Sequence, residues 1–186
     1  RGRDAAGYAW VNESGSGLYK KNVPGGQLHV GKLPADTQPF IAHTRAATKG
    51  MPSNNVNNHP IRSGPIVGIH NGMLWNDDDL FEMMDIRERR QGFVDSEAIF
   101  AGIAWGTEKL GGNGTAEYRL AESLTGVLES IDGSAAVAPG ARARGMAFER
   151  QEGPQRERAA EIVLGGAGDA ARRSPGASRM LRRRTC

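Results

Sequence analysis

The chain has 186 residues, 38% of them hydrophobic, and a formal net charge of +3, which allows one domain with or without a tail and excludes two full domains. Mean hydropathy is -0.50, and no apolar run approaches the roughly 18 to 20 residues of a membrane span, so a soluble protein is expected. The single cysteine is the last residue, Cys186; with no internal disulfide possible and a polar start from Arg1 to Asp4 where a signal peptide would be apolar, the expected location is the cytoplasm.

In chain order, Ala6 to Asn12 and Leu18 to Lys20 read as two strands joined by a Gly/Ser turn within Glu13 to Gly17. Leu28 to Val30, Phe40 to Thr44 and Ile66 to His70 are further short apolar runs bounded by Pro, Gly or Asn, each expected to be a strand. Asn76, followed by Asp77, Asp78 and Asp79, supplies a capping side chain and acidic groups for a helix to about Met84. A second helix is expected from Asp95-Ser96 to Leu110, with Ile99, Phe100 and Ile103 apolar and Gly111-Gly112 as the stop. A third runs from Thr115, where Leu120, Leu124, Val127, Leu128 and Ile131 recur at helical spacing. Asp132-Gly133 ends it ahead of a strand from Ser134 to Ala138. Strands, then helices, then a strand define a layered mixed domain over residues 1 to 138.

From Pro139 the composition shifts. Residues 139 to 186 hold 11 Arg, no Lys and 5 acidic residues, or +6, leaving 13 basic against 16 acidic residues, or -3, for residues 1 to 138. Basic character therefore belongs to the tail, which has one aromatic residue, Phe148, and too little apolar surface to offset chain entropy, so disorder is expected there. A non-catalytic regulatory or nucleic-acid-binding protein using this arginine-rich arm is the alternative function, and unstructured sequence, such as an out-of-frame read of the coding DNA would give, is the plainer reading of the tail. Nucleic acid is accordingly not the expected partner.

Four segments could carry chemistry. In Phe40 to Gly50 an apolar strand ends in His43, Thr44, Arg45 and Thr48. The Arg45 guanidinium suits a carboxylate and Thr48 adds a hydroxyl, although a helix cap with an exposed arginine is the simpler reading of this segment alone. Asn57-Asn58-His59-Pro60 is a loop signal in which His59 could tie neighbouring loops together. In Val67 to Met73 a buried strand delivers Asn71 and Gly72, whose side-chain amide and backbone N–H could bind an oxyanion; the competing reading is a type I′ hairpin turn. Asp95 opens a helix, either as its cap or as a partner for a substrate ammonium opposite Arg45. His29, His43, His59 and His70 have no short zinc-type spacing, so no metal and no cofactor are expected.

Together, in this order, Arg1 to Gly7, His43 to Gly50, Asn58-His59-Pro60, His70-Asn71-Gly72 and Asp95-Ser96-Glu97 resemble the class II glutamine amidotransferases, in particular the glutaminase domain of glucosamine-6-phosphate synthase. The resemblance covers residues 1 to about 138. It implies an α+β fold, the four-layered αββα sandwich of N-terminal-nucleophile hydrolases, here lacking its first strand. It makes glutamine the small-molecule substrate, with Arg45 on its α-carboxylate, Asp95 on its α-amino group, Thr48 lining the pocket and Asn71 and Gly72 as the oxyanion hole. His43 and His59 become structural. In the family an N-terminal cysteine attacks the γ-carboxamide with its own α-amine as base. This chain opens at Arg1, so the nucleophile and its strand are absent, Cys186 cannot replace them, and the expectations are an inactive chain and a marginally stable fold. Ala46 and Lys49 stand where the synthase has tryptophan and histidine. A separate acceptor-side synthase domain is the implied partner.

Overall fold

The computed structural model describes residues 2–12, 15–37, 40–141 and 160–162. Its elements in chain order are β1 Ala5–Asn12, β2 Gly15–Lys21, β3 Phe40–Arg45, β4 Ile61–Ser63, β5 Ile66–Leu74, α1 Asp77–Met83, α2 Ser96–Leu110, α3 Ala116–Ser130, β6 Gly133–Ala141 and β7 Ala160–Ile162. The fold is α+β: one sheet has the order β2-β1-β3 and the other β4-β5-β6-β7. All pairings are antiparallel except that of β6 with β7. The described residues supply two sheets and one helical layer, α1 to α3, on the side of the second sheet.

The register of the first sheet explains the character of its two faces. Directly opposed residues share a face, so one face carries the rows Lys20–Gly7–His43, Leu18–Ala9–Ile41 and Ala5–Arg45. The other carries Tyr19–Tyr8–Ala42 and Gly17–Trp10–Phe40. On that second face Tyr8 lies with its ring centroid 5.7 Å from Trp10, 5.6 Å from Tyr19 and 5.7 Å from Phe40. The segment after β2 covers part of it, Gly31 N–H donating to the Tyr8 hydroxyl at 3.2 Å. The first face is polar and turns towards the 50–60 segment. A Cβ at Gly7 would strike the His59 carbonyl, the Lys20 Cβ and the Tyr19 carbonyl, so the absence of a side chain at Gly7 lets that segment dock between Lys20 and His43.

The apolar core lies between the second sheet and the helices. It gathers Ile61, Ile66 and Leu74 from the sheet, Leu80, Phe81 and Met84 from the α1 region, Ile99, Phe100 and Ile103 from α2, and Leu120, Leu124 and Val127 from α3. Helix α2 is buried around nearly its whole circumference, from Ser96 through Ala104 and again at Gly106, as expected of a helix sandwiched between sheet and helices. Helix α3 buries one stripe, and its cap Thr115 accepts from the Tyr118 N–H at 3.2 Å. Gly111, at φ 56°, ends α2 in the left-handed region that favours glycine.

Several expectations change. Leu28 to Val30 forms no strand: a 3-10 turn at Gly25–Gln27 precedes an irregular segment that lies on the Tyr8 face of the sheet, where Gly31 N–H donates to the Tyr8 hydroxyl. Asn76 makes no cap bond to α1; its amide instead donates to Ser130 O at 2.9 Å and accepts from Asp132 N–H at 2.8 Å, joining the start of α1 to the α3–β6 link. The last long strand reaches Ala141 rather than Ala138, because it pairs along the whole of β5, from Ile66 opposite Ala141 to Leu74 opposite Gly133. Most of the arginine-rich segment, including the expected disorder, lies outside the described residues. Among the described residues no helix is long and apolar enough to cross a membrane.

Candidate active site

Arg45, the last residue of β3, is 3% exposed, and so is not the exposed arginine of the simpler reading. Its Nη1 donates to Asn58 Oδ1 at 3.0 Å, and its Nη2 donates to Gly50 O at 2.9 Å and to Lys49 O. The Nε–H carries none of these bonds. Asn58 is itself fixed, its amide donating to Pro52 O at 2.8 Å and Asn55 Oδ1 at 3.0 Å. Lys20 Nζ donates to Asn58 O at 2.7 Å. The Asn58-His59-Pro60 segment therefore holds the guanidinium through Asn58.

Asp95 is 2% exposed and makes no capping bond to α2. Its carboxylate accepts from Leu74 N–H at 2.8 Å at the end of β5, and Ser96 Oγ lies 3.4 Å from its other oxygen. His70 braces the same corner: Nδ1 is 2.7 Å from Ser96 Oγ and Nε2 is 3.3 Å from Ser134 O. Ser134 O can only accept, so Nε2 carries the proton and Nδ1 accepts from the serine. Glu97, one residue beyond Ser96, accepts from Gln91 N–H at 2.6 Å and Gly92 N–H at 2.8 Å.

Asn71 and Gly72 lie within β5 and not in a turn. Leu74 N–H points at Asp95 and Trp75 N–H at Asp132 O beside β6. By the two-residue period of a strand, Gly72 N–H is directed to the same edge as Leu74 N–H, away from β6. Gly72 has φ 149°, and a Cβ there would strike Ser134 O and the His70 imidazole, so only glycine fits. Asn71 and Gly72 are exposed, as is Thr48.

Charge in this region is dominated by burial. The Arg45 guanidinium is pulled below its ordinary range by burial, with Asp95 and then Asp4 opposing. Asp95 is thus the acidic group that most favours the Arg45 charge, yet no ion pair joins the two. Burial, then the charges of His70 and Arg45, push the His43 imidazole down to about 4. His59 lies well below its ordinary range, through burial and then the nearby His43, His70, Arg45 and Lys20. The His43 and His59 rings lie 4.5 Å apart at 43°, and His43 Nδ1 and both nitrogens of His59 have no hydrogen-bond partner. Burial brings the Lys20 ammonium down to about 8, against the favourable charge of Glu97. Among the described residues no group of three or more His, Cys, Asp or Glu side chains could hold a metal ion.

Arg45, Asn58, His59, His70 and Asp95 are thereby drawn to one region where the end of β3, the outer part of β5 and the start of α2 meet, with Asn71 and Gly72 next to His70 on β5; Thr48 is exposed and, among the described residues, no hydrogen bond ties it to them. Sequence reading passed over Asn58, His70, Ser96 and Glu97 as contributors. Each sits inside a recognised motif; His70 adjoins Asn71, and Ser96 and Glu97 follow Asp95, whereas Asn58 had only its place before His59-Pro60 as a signal.

No family profile matches the chain. It is 33% identical over 139 residues to the glutamine–fructose-6-phosphate aminotransferase (isomerizing) of Escherichia coli K12, covering 70% of this chain and 22% of that protein. The Yersinia pestis enzyme of the same name is 33% identical over 149 residues, covering 74% of this chain and 24% of that one. That of Vibrio parahaemolyticus is 38% identical over 106 residues, covering 54% and 14%. The chain thus spans less than a quarter of the length of these curated relatives. A glutamine phosphoribosylpyrophosphate amidotransferase from B. subtilis superposes with a TM-score of 0.48 and 18% identity, over 76% of this chain and 30% of that one. By its sequence relationships the chain is a homologue of glutamine amidotransferases. Within that class its sequence relatives are the glutamine–fructose-6-phosphate aminotransferases, in their glutaminase region.

Proposed function

We propose that residues 2–141 form the glutamine-binding part of a glutaminase, the half-reaction that hydrolyses glutamine to glutamate and ammonia for transfer to an acceptor on a separate synthase domain. One observation carries the reading: Arg45 and Asp95 are both buried and of opposite sign, and their charges act on one another without an ion pair. Two such charges held apart in a poorly solvated region are completed by a zwitterion, which offers a carboxylate to one and an ammonium to the other.

In this reading Arg45 holds the α-carboxylate, Asp95 the α-amino group, and Thr48 borders the pocket. The Gly72 N–H and the Asn71 amide face the carboxamide, where an oxyanion develops when a nucleophile adds to the γ-carbon. Residues 2–141 contain no cysteine, so the attacking thiolate has to come from outside them. The binding role can be measured on the chain itself. Isothermal titration should give saturable binding of L-glutamine in preference to D-glutamine, weakened at least tenfold in Arg45→Met and in Asp95→Asn, since each leaves a buried charge unpaired. Equal binding of the two enantiomers, or none of either, overturns the proposal.

A further inference from the structure

The loop that follows β3 and the loop that precedes α2 are both fastened to one side chain. Asp77, the first residue of α1, has a side chain only 2% exposed. Both of its carboxylate oxygens lie 2.7 Å from Lys49 Nζ, and Oδ2 accepts from Arg90 Nη2 at 3.1 Å. Lys49 supplies, through its backbone carbonyl, one of the acceptors that hold Arg45 Nη2, and Gly50 supplies another at 2.9 Å. Arg90 reaches the other way: its Nε donates to Gly92 O at 3.0 Å. The N–H groups of Gln91 and Gly92 in turn donate to Glu97 in the first turn of α2, two residues from Asp95.

We infer that Asp77 is a positioning residue which, by binding Lys49 and Arg90 at once, fixes the distance between the Arg45 guanidinium and the Asp95 carboxylate and so tunes the site for a free α-amino acid. The inference rests on the amino-acid-binding reading for its consequence, and on the hydrogen-bond chain for its mechanism.

Three features support it. Burial pulls the Lys49 ammonium down, but the hydrogen bonds and charge of Asp77, and then those of Asp78, more than offset it and leave it raised; Lys49 is thus held charged against Asp77. The Arg90 guanidinium is held from two more sides, by Asp78 and by the Phe81 ring, 5.0 Å from the guanidinium carbon to the ring centroid, so Asp77 pulls against a fixed group. A second link closes the circuit: Asn57 accepts from Phe93 N–H at 2.8 Å and donates to Met51 O at 3.0 Å, which makes the two loops one mechanical unit with Asp77 at its outer end.

The test uses the full chain and the variants Lys49→Met, Lys49→Arg and Asp77→Asn, with two readouts. Amide hydrogen exchange reads the clasp without ligand. In Lys49→Met and Asp77→Asn, protection should fall together at Ala47 on one loop and at Gln91, Gly92 and Phe93 on the other, with the amides of α3 unchanged. L-glutamine titration reads the consequence: affinity about tenfold weaker in Lys49→Met and restored in Lys49→Arg, which keeps the cation. Lys49 is 39% exposed, so Lys49→Met remains informative even where Asp77→Asn fails to fold. Response of one loop alone, an unchanged affinity in Lys49→Met, or equal weakening in Lys49→Arg overturns the inference. Failure of the parent chain to bind L-glutamine overturns the functional reading instead, and the exchange data still decide whether Asp77 couples the loops.

Discussion

Lowering the pH from 7 to 5 should destabilise this fold through its buried imidazoles. His43 is pushed from 6.5 down to about 4, and His59 and His70 are shifted in the same direction. The sign follows from linkage: a histidine held neutral by the fold takes up its proton in the unfolded chain first. Stability is therefore undiminished above the unfolded value of 6.5, falls as the pH drops below it, and stops falling below the folded value. For His43 alone the loss is about 2 kcal/mol at pH 5 and about 3 kcal/mol at pH 4. Those are large fractions of the roughly 5 to 15 kcal/mol by which domains are stable. The groups facing the imidazoles, besides one another, are Lys20 from β2, Arg45 from β3 and Asp95 at the start of α2. The cations reinforce the effect, and Asp95 moderates it at His70. Asp78, held down chiefly by its hydrogen bond from Arg90 against the ordinary 3.8, loses its contribution only at still lower pH, so the window from 7 to 5 isolates the histidines. Urea unfolding at half-unit steps should give a free energy that falls towards pH 5 by at least about 1.4 kcal/mol per unit, the value for one proton. The variant His43→Gln should lower that slope by close to one proton. A free energy that is flat or rising between pH 7 and 5 would mean that the imidazoles are charged in the fold, and would refute the argument.

Further outcomes follow from particular contacts. Gly72→Ala, forced into φ 149° with its Cβ against Ser134 O, should cost about 1 to 3 kcal/mol in urea unfolding. Asn58→Ala strips an acceptor from the buried Arg45 and a donor from Pro52 O; a loss of about 3 kcal/mol is expected. A loss below about 1 kcal/mol would show that Arg45 is satisfied elsewhere. Thr115→Ala removes the α3 cap to Tyr118 N–H and should lower stability by about 1 kcal/mol, with Thr115→Asn recovering most of it. Phe100→Ala, from a wholly buried position, should cost about 3 to 5 kcal/mol; a cost near zero would require the core around α2 to be loosely packed.

The helices were legible because their signals are local. Thr115 caps α3, Gly111 ends α2 in a left-handed conformation, and the apolar spacing of α3 is the stripe it buries. The site was legible as a set of motifs but not as an arrangement. Asn71-Gly72 carries a strong turn signal, and a nine-residue strand overrides it because β6 pairs along its full length and leaves no room for a chain reversal. Asp95 has the composition of a cap, and its carboxylate serves Leu74 N–H, a donor at the far end of β5 that no local pattern announces. Leu28 to Val30 looked like a strand because short apolar runs are ambiguous; whether such a run pairs depends on a free sheet edge being within reach.

The polar face of the first sheet brings these strands of argument together. A sheet between layers ordinarily turns apolar residues inward, but here β1 contributes Ala5, Gly7 and Ala9 to that face, and its neighbours contribute Lys20, His43 and Arg45 beside Leu18 and Ile41. Small residues down the middle strand leave depth for the Asn58-His59 segment to enter, and the entering segment brings the carbonyl that holds Lys20 and the amide oxygen that holds Arg45. Burying Arg45 and partly burying Lys20 and His43 costs solvation that hydrogen bonds only partly return, as the lowered values at all three record. Gly7→Ala separates docking from anything done by the basic groups themselves, since it changes no charge and no hydrogen-bonding side chain. It should displace the 58–60 segment, release Asn58 from Arg45 and weaken L-glutamine binding while leaving the α2–α3 core intact by near-ultraviolet circular dichroism at Trp105. Undiminished binding in Gly7→Ala would mean that Arg45 is positioned from its own loop alone.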